Sequence, residues 1–250
     1  MRPLERILLP AAAFAALIGA WHAAAGAAAS AVLFPGPRDV ALGLAELAQT
    51  GRLAPYVAAS LVRFASGYFA ALALAVPLGL AFGMAARAWA AADPVVQVMR
   101  PISPIAWFPL FTLWFGIGEA PAVVIVFIAA FYPALLATVA AVRSVDPALL
   151  RVARNFGERR LARVWRVVLP AALPRIMTGA RIAMGSSWVF LVAGEMLGVR
   201  SGLGFLVVDA RNSLRTDLVL VAIVLIGLSG LLVDRAIGIT EAAVRRRWAA

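Results

Sequence analysis

Lysine and cysteine are both absent from this sequence, histidine occurs once, and only 14% of the residues are charged. Each absence closes off a class of chemistry. A phosphate-cradling nucleotide loop ends in a lysine that reaches the nucleotide, so the chain has no such loop. Without cysteine there is no disulfide and no zinc or iron–sulfur site of cysteine type. The one histidine, His22, lies in an alanine-rich stretch with no acidic neighbour in sequence, which suits a packed or outward-leaning side chain rather than a general base. Acidic residues stand singly at the ends of apolar stretches, so paired carboxylates at helical spacing are missing too. The chain reads as a non-enzyme with no catalytic residue, cofactor or metal.

What is present is hydrocarbon. Of 250 residues, 64% are hydrophobic and the mean hydropathy is +0.94, far from the balance of soluble domains. The expected class is an all-α, polytopic integral membrane protein forming one domain over residues 1–250. All 23 basic residues are arginine and the formal net charge is +11. Basic and aromatic residues are not interleaved as base-stacking surfaces require, so nucleic acid is excluded as a partner and the charge reports topology instead.

A spanning helix needs about 20 mostly apolar residues, and six stretches qualify: 7–29, 61–86, 102–118, 120–142, 181–198 and 218–238. The third is short and is divided from the fourth by Gly116-Ile-Gly118-Glu119-Ala-Pro121. The first has too long an apolar run for a signal-peptide core and reads as a retained anchor. With six spans, one side collects Arg2, Arg6, Arg87, Arg100, the nine arginines from Arg143 to Arg181, Arg235 and Arg245–Arg247, 17 in all. The other side holds Arg38, Arg52, Arg63, Arg200, Arg211 and Arg215. By the positive-inside rule both termini are cytoplasmic. Loops 30–60 and 199–217 then face outward, while 87–101 and 145–174 face inward. The outward Pro35-Gly36-Pro37 turn is followed by a short amphipathic surface helix.

The polar island at 145–174 is too rich in arginine to enter hydrocarbon and longer than a turn needs to be. Asp146-Pro147 is an N-cap followed by proline at the first helical position, starting a helix that Gly157 ends. A second amphipathic run, 161–168, places Leu161, Trp165 and Val168 together, and Leu169-Pro170 with Leu173-Pro174 closes the unit. Such a pair of helices fits a partner's groove, or rests on lipid headgroups.

The run ALLRVARNFGERRLARVWRVVLPAALP resembles the cytoplasmic EAA loop of ABC importer permeases, whose pattern is Glu-Ala-Ala, three residues, Gly, then an apolar residue and Leu-Pro. Ala153, Gly157, Leu169 and Pro170 stand at matching positions, while Arg151 replaces the Glu and Val152 the first Ala. Further segments resemble the nitrate/sulfonate/taurine branch of these permeases: Phe34-Pro35-Gly36-Pro37, Ser60-Leu61-Val62-Arg63, Arg100-Pro101-Ile102-Ser103-Pro104, Leu113-Trp114-Phe115-Gly116 and Ala193-Gly194-Glu195-Met196. The resemblance implies a type I ABC importer permease fold with an EAA-type coupling loop at 145–174. It implies a homodimer on two ABC ATPase subunits, fed by a periplasmic or lipoprotein solute-binding protein, with a nitrate-, sulfonate- or taurine-like anion or related small compound as cargo. Arg151, Ala153, Arg154, Gly157, Leu169 and Pro170 are then the ATPase-docking loop.

Two features suggest the path itself. Trp107, Phe111, Trp114 and Phe115 recur at helical spacing in the third span, as core and aromatic belt or as an apolar gate. Glu195 lies within the fifth span, where an ionisable residue faces an aqueous cavity or a partner cation, with Arg63 as candidate partner. The glycine pairs Gly79/Gly83 and Gly194/Gly198 permit close helix approach. A secondary transporter, or another polytopic protein without ATPase partners, is the alternative; it calls for internal inverted repeats or paired broken helices with ion-binding residues near the midplane, and the sequence shows no convincing repeat.

Overall fold

The computed structural model describes residues 5–28 and 33–248, and among them every regular element is helical. Arg2, residues 29–32 and the side chains of Arg6, Arg160, Arg245 and Arg247 lie outside the described residues. In chain order the helices are α1 (Glu5–Ala27), α2 (Pro37–Gln49), α3 (Leu53–Met84), α4 (Ala86–Met99), α5 (Phe108–Phe115), α6 (Glu119–Arg143), α7 (Pro147–Asn155), α8 (Arg160–Arg163), α9 (Leu169–Gly198), α10 (Leu203–Asn212) and α11 (Thr216–Trp248). A 3₁₀ turn, Pro104–Trp107, precedes α5, and a π-turn, Val164–Val168, joins α8 to α9.

Small residues set the packing. A Cβ at Gly79 would lie 2.5 Å from Thr138 Cβ, and one at Gly83 would lie 2.5 Å from Val142 Cβ, so α3 and α6 touch backbone to side chain along their length. In lipid, where apolar side chains gain little from meeting one another, close approach of this kind holds helices together. The order of contacts fixes direction: Gly67 meets Val126 and Gly83 meets Val142, so α3 and α6 run parallel, whereas Gly179 meets Ala137 and Gly194 meets Ala122, so α9 runs antiparallel to both. α11 runs against α9, with Trp188 Nε1–H donating to Ile226 C=O at 3.3 Å. The main core of Phe64, Tyr68, Val126, Leu135, Met184 and Leu191 lies between α3, α6 and α9. Residues 144–168 cluster at one end of the bundle, hereafter the α7 end; α2 and α10 cap the other, the α10 end.

Among the described residues five helices are long and apolar enough to cross a bilayer, namely Leu8–Ala27, Leu53–Met84, Glu119–Arg143, Leu161–Gly198 and Thr216–Ala243. The expected third span, 102–118, is only a shorter apolar helix at Pro104–Phe115. Yet the chain crosses there. It leaves α3 at the α7 end, where Gly83 meets Val142, and enters α6 at the α10 end, where Glu119 meets Arg63 at 3.0 Å. The 14 residues of α4 make the first part of that crossing, about 21 Å at 1.5 Å per residue. Trp89 packs at a tilt beside Phe82 and under the Arg143 guanidinium, Val96 is buried in the core, and Met99 lines one cavity with Ile128 and Tyr132 from the middle of α6.

Residues 87–101 are therefore not the inward loop that hydropathy suggested. Asp93, Gln97 and Arg100 depress the local hydropathy, and Pro94, Pro101 and Pro104 read as breakers, which hid the first half of the crossing. Removing Arg100 from the inward set leaves the arginine asymmetry intact. A second correction concerns Pro170 and Pro174, expected to close the polar island. Pro170 instead occupies the first turn of α9, where its missing N–H is no loss, and the helix runs on through Pro174 to Gly198. Gly157, by contrast, ends α7 as expected, at φ +74°.

Gly79→Leu should force α3 from α6 and destabilise the protein by about 1–3 kcal/mol, read as a lower melting temperature in detergent. An unchanged melting temperature would show that the two helices do not depend on this contact.

Candidate functional site

Near the α10 end a buried polar lock joins four helices. Glu195 Oε1 accepts from Arg63 Nη1 at 2.7 Å, Oε2 accepts from the Gly204 N–H at 2.9 Å, and both oxygens lie 2.8 Å from Ser60 Oγ. Arg63 also donates to the Ser201 carbonyl at 2.9 Å, to Ser201 Oγ and to Glu119 at 3.0 Å. Ser60 Oγ in turn accepts from the Leu203 N–H at 2.8 Å. The side chains of Glu195 and Arg63 are 0% and 1% exposed, whereas that of Glu119 is 68% exposed. Gly202, at φ +101°, passes so close that any Cβ would strike Glu195 and Arg63.

α3 places Ser60 and Arg63 one turn apart on the same face, α9 brings Glu195, α6 begins with Glu119, and the α9–α10 turn closes over them. A buried ion pair of this kind is held by its hydrogen bonds, because bare charges at this depth are not tolerated. Glu195, read from sequence as a path or gate residue, is thus sealed inside the packed protein and paired. Ser201, Gly202 and Gly204 carry no sequence signal for this site, and Glu119 is visible in sequence only as part of the break between the third and fourth spans. Further out, Arg215 bridges Glu46 of α2 and Asp217 at 2.7 and 2.8 Å. Hydrogen bonding by that guanidinium holds the Glu46 carboxyl below its ordinary range.

The α7 end carries a different surface. Asp146 caps α7 by accepting from the Ala148 N–H at 2.7 Å, and backbone bonds from Gly157 to Arg154 and from Glu158 to Ala153 close its C-terminus. Ala153 is buried, and Leu150 and Leu169 pack on a small core of Leu80, Val142, Val145, Val168 and Ile176. Arg151, Arg154 and Gly157 lie exposed, while Leu169 and Pro170 are half-buried beneath them. Beside the arginines stands an apolar row that sequence reasoning passed over: Leu149, Val152 and Phe156, at i, i+3 and i+7, all exposed, with Phe156 at 83%. An apolar residue directly before a helix-ending glycine, out of phase with the buried face, was the available signal.

The aromatic residues of the third crossing gather around buried Phe111. Trp107 stacks on it at 6.3 Å, and Trp114 and Phe115 approach at 5.9 and 6.4 Å. Trp114 and Phe115 are otherwise exposed. A cavity of about 180 Å³ lies among Met99, Trp107, Phe111, Trp114, Ile128 and Tyr132. Among the described residues no group of three or more His, Asp or Glu side chains is placed to hold a metal ion.

The family described as "Binding-protein-dependent transport system inner membrane component" matches residues 73–246. The taurine transport system permease protein TauC of Escherichia coli (strain K12) is 36% identical over 239 residues, covering 93% of this chain and 87% of its own. The nitrate import permease protein NrtB of Leptolyngbya laminosa is 37% identical over 188 residues, covering 75% and 67%. Among solved structures, the MetNI methionine ABC transporter in an inward-facing conformation has a similar fold, with a TM-score of 0.59 at 19% identity, over 74% of this chain and 95% of that one.

Removing one partner of the lock leaves an uncompensated buried charge. Arg63→Leu and Glu195→Leu should each cost about 3–5 kcal/mol, and the double variant should recover much of that loss. Thermal unfolding of the four proteins measures the coupling, and strictly additive losses would sink the pairing.

Proposed function

The chain belongs to the family of binding-protein-dependent transport system inner membrane components and is the permease subunit of an ABC importer of type I fold; on that premise we propose how it is assembled and what it carries. Residues 1–250 act as one transmembrane domain, two copies pair in the inner membrane among its lipids, and two ABC ATPase subunits dock at the α7 end. ATP hydrolysis belongs to those subunits. A periplasmic or lipoprotein solute-binding protein delivers the cargo at the α10 end. The cargo is a small solute bearing an oxyanion, such as taurine, another sulfonate or nitrate, in keeping with the relatives' transport of taurine and nitrate. Family membership displaces the secondary-transporter alternative.

The observation that carries the docking assignment is the α7 surface. Leu149, Val152 and Phe156 form an unburied apolar row flanked by Arg151 and Arg154 at the end of the molecule richest in arginine. An exposed row of this kind, centred on a large aromatic anchor, is what a partner's groove covers. Its rim is cationic, which suits an acidic or neutral patch on the ATPase. The arginine excess at that end also supports a cytoplasmic position for both termini. The base of α7 rests on α3, α6 and α9, so a push on the knob reaches the whole bundle.

Phe156→Ala should weaken copurification of the ATPase subunits by at least about tenfold. Gly157→Trp, whose Cβ position meets nothing within 4 Å but whose φ of +74° strains any side chain, should leave the permease inserted while blocking docking by bulk and by distorting the end of α7, and Arg151→Glu should weaken assembly with the native ATPase. Normal copurification and coupled ATP hydrolysis in Phe156→Ala and Gly157→Trp would eliminate the docking role.

The chain contains no cysteine, so orientation is testable directly. A cysteine placed at Arg159 should resist membrane-impermeant maleimide added outside intact cells and react after permeabilisation. Labelling from outside would reverse the topology.

A further inference from the structure

α4 carries a polar face through the part of the chain that crosses the membrane. Asp93, Gln97 and Arg100 stand at i, i+4 and i+7 and so share one side of the helix. Gln97 and Arg100 are exposed and Asp93 is half-buried, with Gln97 Nε2 donating to Asp93 at 3.4 Å. Trp89 and Val96 lie toward the core, and Val98 turns away from it, exposed.

The depth of Arg100 follows from its neighbour. Met99 lines the aromatic cavity together with Ile128 and Tyr132. Those residues stand nine and thirteen positions into α6 from Glu119, or about 14–20 Å from the α10 end at 1.5 Å per residue. That is close to the middle of a hydrocarbon core about 30 Å thick. Among the described residues the Arg100 guanidinium has no hydrogen bond and no ion pair, in contrast to Arg63. The backbone breaks at the same point. Residues 100–103 leave α4, with the Ile102 N–H turning back to Met99 C=O at 3.2 Å, and Pro101 and Pro104 contribute no N–H to the ladder. Lipid does not accommodate an unpaired cation beside irregular backbone; a water-filled cavity does.

We propose, building on the permease reading above, that the polar face of α4 lines the half of the solute path nearer the α7 end and that Arg100 receives the solute's oxyanion at mid-depth. The planar guanidinium fork matches the paired oxygens of a sulfonate, carboxylate or nitrate. Gln97, one turn below, offers neutral hydrogen bonding on the way out, and the adjoining aromatic cavity accommodates the remainder of a small solute. A positive charge fixed in a narrow path attracts anions and repels cations by the same field.

The test uses the permease with cysteine-free ATPase subunits in lipid nanodiscs and a single cysteine replacing Gln97. The probes are the anionic sulfonatoethyl and cationic trimethylammonioethyl methanethiosulfonates, their rates scaled to those with a free thiol. Both should react, with the anionic reagent favoured about tenfold. The preference should fall to about one in Arg100→Gln and persist in Arg100→Lys, while a cysteine at Val98 should react with neither. No reaction at position 97, or a preference independent of Arg100, overturns the proposal. Proteoliposome uptake separates the two readings: if the charge preference holds while neither taurine nor nitrate is transported, the solute class falls and the anion site stands.

Discussion

In hydrocarbon a carbonyl, an amide or a guanidinium has no solvent to fall back on, and this constraint arranges the molecule. Long uninterrupted helices satisfy their own backbones, so α3, α6, α9 and α11 need only be brought close. Glycine does this along α3, where Gly67, Gly79 and Gly83 meet Val126, Thr138 and Val142. The buried Arg63–Glu195 pair near the α10 end follows the same logic. Arg63 and Glu195 are not balanced by each other alone but by Ser60, Ser201, Glu119 and the Gly204 N–H, so that nearly every donor and acceptor is spoken for.

The same helix serves both ends of the bundle. α8, the π-turn and α9 form one continuous rod, from the polar loop at Arg160 to the lock at Glu195. Val168, within the π-turn, is fully buried against the base of α7. Glu195, near the rod's other end, is fully buried against α3. A force on α7 therefore enters the rod at a packed point and leaves it at a hydrogen-bonded one, and packed cores transmit small displacements because they do not deform continuously. The π-turn is the irregular segment of this rod, and single π-turns recur where helices serve function.

What could be read from sequence was whatever has a periodic or local signature. The Asp146-Pro147 cap, the glycine at 157 and the amphipathic α2 depend on neighbours in the chain, and they lie where those neighbours put them. The Arg63–Glu195 pair was legible as two charges too deep to stand alone. The missing pieces are non-local or masked. Ser201, Gly202 and Gly204 join the lock only because the α9–α10 turn folds back over it, and nothing in their own sequence says so. α4 was hidden by its composition, since a helix with Asp93, Gln97 and Arg100 on one face scores as a loop when hydropathy is averaged over all faces. Phe156 was passed over because it follows the helix pattern's last buried residue and was absorbed into the turn.

Two arginines of the membrane region show how context divides structure from function. Arg63 sits where α3, α6 and α9 converge, and its two terminal nitrogens donate to Glu195, Glu119 and Ser201, so its charge is spent on holding helices together and has little left for a solute. Arg100 sits at a helix break, has no ion pair among the described residues, and is followed by two prolines that keep the backbone from closing around it. The first arrangement is stable because both its terminal nitrogens are bonded and only the Arg63 Nε is left without a partner. The second is stable only if something outside the chain, water or an arriving anion, supplies what the protein withholds. An unpaired guanidinium at mid-depth, on the side of a helix whose other residues are polar as well, is the mark of a surface that meets solute, whereas a guanidinium paired with two carboxylates near the α10 end is the mark of one that bears load.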